Sequence, residues 1–337
     1  MIIRKHAYAR AGLLGNPSDG YFGKTISLIV RNYRATVTLY ESPTLVIVPS
    51  QQDHSVFGSL SELVEDVRLN GYYGGVRLIK ATIKKFADYC EREGILMEPK
   101  NFTVEYESNI PRQVGLAGSS AIITATLRCL MEFYGVDVAI PLKPNLILSV
   151  ETDELGISAG LQDRVIQVYE GVVYMDFARH ILETRGHGRY EALDPKLLPP
   201  LFIAYRTDLS EESEKVHNDI RARFNKGDRK IVRAMKQFAG FAERGKACLE
   251  RGDFKEVGRL MDANFDLRSS LYTISERNLD MVMRGRAVGA NVKFSGSGGA
   301  VIGRYTDERM YQKLVRTYKQ GGYRIFKPIV RDRSPQR

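Results

Sequence analysis

The residues with the clearest chemical purpose lie in one run, Pro111-Arg112-Gln113-Val114-Gly115-Leu116-Ala117-Gly118-Ser119-Ser120-Ala121. It opens directly into the apolar series Ile122, Ile123, Ala125, Leu127, Leu130 and Met131. Small residues let backbone N–H groups approach an anion, and the start of a helix adds free amides and the positive end of the helix dipole. The run is therefore a phosphate cradle, with Ser119 or Ser120 capping the helix and a second hydroxyl left over for a metal ion. Phosphoryl transfer also needs Mg²⁺ held by a few oxygens, a carboxylate facing the attacking hydroxyl and a cation near the transferred group. Ser120 can supply one metal oxygen and Glu151 or Glu154 a carboxylate, while Asp163, beyond the Gly156 to Gly160 loop, can orient or deprotonate an acceptor hydroxyl.

Two apparent nucleotide motifs fall away. Gly23-Lys24-Thr25 ends like a Walker A loop, but Ser18 stands where its first glycine is required. Gly296-Ser297-Gly298 begins like a dinucleotide fingerprint, yet the third glycine position is Val301 and no early βαβ unit surrounds it. The histidines, His6, His54, His180, His187 and His217, have no ligand spacing.

These residues need strands and helices to carry them. Apolar residues up to the turn Gly15-Asn16-Pro17-Ser18-Asp19-Gly20, then Thr25 to Val30 and Ala35 to Tyr40, predict early strands. Gly71-Tyr72-Tyr73-Gly74-Gly75 precedes a helical pattern at Val76, Ile79, Ile83, Phe86 and Cys90. Phe102, Val104 and Tyr106 alternate with polar residues in a half-buried strand that feeds the cradle, and the following helix stops at Gly135. Residues 145–155 form another helix, and Gly171 to Met175 a strand. After Leu197-Leu198-Pro199-Pro200 come a strand at 201–205, charged amphipathic helices over 211–286, strands 291–294 and 300–304 around Ser295 to Gly299, a helix 307–319 and a strand 323–328. This is an α+β layout, with lobes of residues 1–190 and 191–337.

At 337 residues the chain suits two lobes, and no stretch reaches the roughly 18 consecutive apolar residues of a membrane span. The N-terminus shows no signal-peptide core, and the odd, unclustered set Cys90, Cys129 and Cys248 suits a reducing cytoplasm better than a disulfide framework or a zinc site. The net charge of +10 is spread among acids, which favours an enzyme for phosphate- or carboxylate-bearing small molecules over a nucleic-acid binder. The tail Arg331 to Arg337 is expected to fray.

The cradle motif, Lys293-Phe294-Ser295-Gly296-Ser297-Gly298-Gly299 and Arg10-Ala11-Gly12-Leu13-Leu14-Gly15-Asn16-Pro17-Ser18-Asp19 together resemble the three signatures of the GHMP small-molecule kinases. Within that family GNPSDGYFGKTISL, GYYGGVRLIKA, NIPRQVGLAGSSAI and ELGISAGLQDRV are most similar to the sugar-1-kinases of D-glucuronate. The resemblance spans about Tyr8 to Pro328. It implies a ribosomal S5 domain 2-like N-lobe, a ferredoxin-like C-lobe, and ATP and Mg²⁺ as cofactors. It also implies transfer of the γ-phosphoryl to the anomeric hydroxyl of D-glucuronate, for UDP-glucuronate salvage.

Residue by residue, the resemblance implies Asp163 beside the acceptor hydroxyl and Arg10 near the transferred phosphoryl. Asp19 would meet sugar hydroxyls, and Ser120 with Glu151 would meet the metal. Pro111, Gly115, Leu116, Ala117, Gly118 and Ser119 would lie around the nucleotide, with Gly296, Ser297, Gly298 and Gly299 closing over it. A uronate further requires a cation for its carboxylate, and Lys24, Arg112, Arg164 and Arg10 are the candidates. Ala117 is an insertion relative to the common Gly-Leu-Gly-Ser-Ser loop, and Ile122 replaces a frequent alanine. The competing readings are another acceptor such as galacturonate or galactose, a non-catalytic sensor, and an RNA-binding protein on the same N-lobe fold.

Overall fold

In a computed structural model, the structure describes residues 1–50, 53, 74–207 and 214–330. The expected turn residues Gly71 to Tyr73 and the tail Arg331 to Arg337 lie outside these.

Strands β1 (Ile2–Leu14) and β2 (Lys24–Glu41) pair antiparallel, from Ile2 opposite Tyr40 to Leu14 opposite Ile26. The two strands expected over 25–40 are one continuous strand of 18 residues. The polar stretch Arg31 to Arg34 that suggested a break is absorbed by a shift in the pairing register between Tyr8 and Ala9. A four-residue 3-10 turn, Ser18–Tyr21, lies between the two strands and carries Asp19. Next come β3 (Val46–Val48), α1 (Gly75–Arg92), β4 (Phe102–Ser108) and α2 (Gly118–Tyr134). Helix α1 buries Leu78, Ile79, Phe86 and Cys90, as its three- and four-residue spacing requires. Helix α3 (Lys143–Ser149) runs into a π-turn, Val150–Glu154, and is followed by α4 (Gln162–Tyr169), β5 (Val172–Asp176), α5 (Arg179–Arg185) and β6 (Arg189–Leu193). The sheet order is β3-β4-β2-β5-β6, with β1 on the other edge of β2.

The chain crosses to a second sheet over residues 194–200; residue 190 itself lies within β6. The second lobe comprises β7 (Leu201–Arg206), α6 (Glu214–Asn225), α7 (Arg229–Glu250), α8 (Phe254–Ser269), α9 (Glu276–Ala287), β8 (Asn291–Phe294), β9 (Ala300–Arg304), α10 (Glu308–Gln320) and β10 (Tyr323–Phe326). Its strands run antiparallel in the order β10-β7-β9-β8, the ferredoxin-like arrangement that the resemblance implies.

Two features fix the lobes relative to each other. An apolar cluster is continuous from Ala9, Leu39, Ile123 and Phe133 to Phe238, Leu249, Val257 and Ile302, so it belongs to both lobes. Helix α7 lies close on the first hairpin because Gly245 has no side chain: a Cβ there would fall 2.2 Å from Leu14 Cδ1. On the edge of β1 that does not pair with β2, the Gly12 N–H donates to Ser295 O (2.7 Å) and the Arg10 N–H to Leu116 O (3.2 Å), so both glycine-rich loops are seated on one strand.

Candidate active site

Helix α2 starts without the serine cap expected from its sequence. The capping position is Ala117, held in the left-handed conformation at φ 62°, and no side chain caps the helix. The inserted residue thus takes the turn, and the serines enter the helix. Gln167 Nε2 steadies the turn by donating to Ala117 O (2.9 Å) and Tyr8 O (3.1 Å). The Ala121 N–H bonds Ala117 O (3.2 Å), so the amides of Gly118, Ser119 and Ser120 precede it at the positive end of the helix.

The serine roles also differ from expectation. Ser119 Oγ donates to Glu151 Oε1 at 2.9 Å, whereas Ser120 is buried and its hydroxyl turns back to Ala117 O at 3.4 Å. It is therefore Ser119, not Ser120, that stands with Glu151. Glu154 faces away, paired with Lys84 (3.0 Å). Ser119 and Glu151 are oxygen donors of the hard type that Mg²⁺ takes. One carboxylate is enough where phosphates and waters complete the shell, so the pair fits that ion.

The glycines of the two loops serve a purpose the sequence did not disclose. A Cβ on Gly115 (φ +67°) would meet Gly298 O at 2.6 Å, one on Gly296 would meet Gly115 O at 2.3 Å, and one on Gly299 would meet Val114 Cα at 2.8 Å. At these positions the backbones of the two loops touch each other, instead of leaving open approaches for an anion. Buried Arg268 holds the second loop by donating to Gly296 O (3.1 Å) and Ser297 O (3.0 Å), and Asn278 Oδ1 accepts from the Gly299 N–H (2.9 Å). Lys293 is fully buried and donates to Gly12 O (2.8 Å), Asn16 Oδ1 (2.6 Å) and Phe294 O (2.6 Å). Burial, reinforced by the positive charges of Arg268 and Arg10, lowers its ammonium pKa well below the usual lysine value.

Asp163 lies in the first turn of α4, where Arg10 grips it with two parallel hydrogen bonds, Nε to Oδ1 (2.6 Å) and Nη2 to Oδ2 (2.7 Å). Arg10 Nη1 reaches Gly115 O (2.5 Å), so one guanidinium ties the acid to the cradle. Burial works to raise the Asp163 carboxyl, but Arg10, helped by Arg164, overrides it and holds the group below the ordinary aspartate value. Asp19 behaves oppositely. Burial and then the negative charge of Asp163 push it up to about 6, against the Gln162 N–H (3.3 Å), Arg164 and Arg10. Gly160 makes room for it, since a Cβ there would fall 2.0 Å from Asp19 Oδ2. Two neighbouring carboxylates with pKa values driven apart are suited to different tasks.

The family model described as "GHMP kinases N terminal domain" matches residues 77–171, which include the cradle, Glu151 and Asp163. Glucuronokinase 1 of Arabidopsis thaliana is 46% identical over 306 residues, covering 89% of this chain and 84% of its own. The chain belongs to the GHMP kinase family. Galactokinase of Lactococcus lactis, solved with galactose, shares the fold with a TM-score of 0.76 at 12% identity, over 98% of this chain and 93% of that one. Phosphomevalonate kinase of Streptococcus pneumoniae does so with a TM-score of 0.74 at 15% identity, over 98% and 100%.

In this GHMP kinase the cations expected to receive a substrate carboxylate are mostly engaged. Lys24 pairs with Glu243 (2.7 Å) and lies 3.9 Å from Asp176; Arg164 is buried against Glu151 and donates to Gly160 O (2.8 Å). Arg10 is committed to Asp163, and Arg112 is exposed in the loop ahead of the cradle. Lys293 lay within a recognised motif but had no assigned role, although a lysine between Val292 and Phe294 on a strand this apolar was a signal of burial. Arg268 and Asn264, whose Oδ1 accepts from the Gly15 N–H (2.8 Å), carried no such signal, because ordinary polar positions on a helix gave no hint of what they face.

Proposed function

We propose that this GHMP kinase is an ATP-dependent sugar-1-kinase that acts on D-glucuronate, giving D-glucuronate 1-phosphate and ADP. The observation that carries the reading is the bidentate Arg10–Asp163 pair joined to the cradle through Gly115, in a chain 46% identical to Arabidopsis glucuronokinase 1. The anomeric oxygen attacks the γ-phosphorus, the bond to the β,γ-bridging oxygen breaks, and the hydroxyl proton passes to Asp163. Because an anomeric hydroxyl is more acidic than an ordinary alcohol, a carboxylate held low in pKa suffices to align it and take the proton late. Arg10 keeps that carboxylate ionised and aimed. Asp19 accepts from a second sugar hydroxyl. The amides of Gly118, Ser119 and Ser120 receive phosphate oxygens, and the overlying loop from Gly296 to Gly299 excludes water. Ser119 and Glu151 would hold Mg²⁺, which supplies charge stabilisation to the phosphates when bound. We assign the reaction to the cytoplasm, a setting suited to the buried free thiols of Cys90, Cys129 and Cys248.

The test is ATP consumption with D-glucuronate, D-galacturonate, D-galactose, D-glucose and no sugar, followed by phosphorus NMR of the product. Preferential turnover of D-glucuronate with the phosphate on the anomeric carbon supports the reading. Absence of such a product overturns it.

A further inference from the structure

If the acceptor is a uronate, as the proposed function holds, some cation must read its carboxylate, and of the expected candidates Lys24, Arg164 and Arg10 are already paired with carboxylates of the chain itself. Arg221 in α6 is different. Its guanidinium carbon lies 4.7 Å from the centroid of the Tyr21 ring. Its Nη2 comes within 2.8 Å of where a Cβ on Gly20 would be. Among the described residues no carboxylate pairs with it, and its head is held by Tyr21, through the ring face and a hydrogen bond with the hydroxyl.

The placement matters because Asp19, Gly20 and Tyr21 belong to one short turn. At one end Asp19 meets Gly160 and the N–H of Gln162, next to Asp163. At the other, Gly20 and Tyr21 carry Arg221. A ligand that offers a hydroxyl to Asp163 and extends across Asp19 therefore comes to the guanidinium.

We propose that Arg221 is the specificity-determining residue of the acceptor site and receives the sugar carboxylate through a two-point guanidinium pair. Tyr21 keeps the planar fork oriented through its ring and hydroxyl, and with five N–H donors the guanidinium retains a pair for the ligand, a geometry that lysine cannot reproduce. Gly20 has no side chain to stand between the guanidinium and the acceptor. The second lobe thus reads one end of the sugar, and the first lobe reacts with the other.

The experiment compares D-glucuronate with its uncharged analogue D-glucuronamide on the full chain and on Arg221→Gln and Arg221→Lys, measuring Kd by calorimetry and kcat/KM with saturating ATP. Wild type is expected to prefer the acid. Arg221→Gln should weaken acid binding about 10- to 100-fold, the range for a charge-assisted contact, while leaving the amide and KM for ATP within about twofold. Arg221→Lys should fall between them. Melting curves and retained use of the amide show that the variants fold, and the lysine variant serves if the glutamine variant does not. A wild-type preference for D-glucuronate that survives in both variants overturns the role of Arg221 and leaves the proposed function standing. A wild type that uses neutral sugars and ignores uronates overturns both.

Discussion

Asp19→Asn separates the two carboxylates that meet at the acceptor end of the cleft. Folding pushes the Asp19 pKa up to about 6, whereas an unfolded aspartate titrates near 3.9. Between those values the folded chain keeps a proton that the unfolded chain has released. Stability therefore falls as pH rises from about 4 through 6, and the deficit is complete above that. Roughly two pKa steps at about 1.36 kcal/mol each make the deficit about 3 kcal/mol. A chain of this length unfolds with about 0.7 kcal/mol per kelvin of entropy, so about 3 kcal/mol corresponds to about 4 °C in Tm. Asparagine cannot ionise and escapes the deficit. Asp19→Asn should melt about 4 °C above wild type at pH 8 and within about 1 °C of it at pH 4, by scanning calorimetry at matched salt. The same variant should raise KM for the acceptor and lack the rise of kcat/KM through pH about 6 that is expected of wild type. An equal Tm difference at both pH values, or a variant less stable at pH 8, would show that Asp19 does not carry a strained charge.

Three further outcomes are expected. Asp163→Asn should fold by circular dichroism and lose 10²- to 10⁴-fold in kcat with KM for ATP little changed, while Arg10→Lys, which keeps the charge but not the fork, should lose at least about tenfold; a near-wild-type rate in either removes the pair from the chemistry. Ser119→Ala should raise the Mg²⁺ concentration for half-maximal rate about tenfold or more while Ser120→Ala leaves it nearly unchanged, and the reverse pattern would restore the serine first expected from the motif. Gly115→Ala places a methyl 2.6 Å from Gly298 O at a positive φ, so it should destabilise the chain by about 1 to 3 kcal/mol and raise KM for ATP, as read by thermal melting and steady-state kinetics.

Local patterns were enough to find α1, α2, the β8–β9 pair and α10, because each has a clean apolar period bounded by glycine or a helix-capping residue. Asp163, Arg10 and Glu151 were singled out through the resemblance of the surrounding motifs. Spacing along the chain, however, could not show that Arg10 binds Asp163 across 153 positions. The contact of Ser119, and not Ser120, with Glu151 was hidden for a local reason: Ala117 takes the capping position in a conformation uncommon for alanine, and both serines fall inside the helix. The meaning of the glycines at 115, 296 and 299 was hidden as well, since each is explained by a loop more than 180 residues away in the chain. Single-chain patterns report what an element needs for itself, and contacts between lobes leave no such periodic trace.

The apolar cluster that passes unbroken from the first hairpin into α7 and α8 has a consequence for how the molecule lives and dies. Cutting between the sheets would strip oil-like surface from both halves, so neither half is expected to persist as a free fragment, and heat should melt the whole chain in a single event. Catalysis and endurance are then insured by the same joint. An injury that loosens Leu14 from Gly245 would dissolve the enzyme before it could slow it.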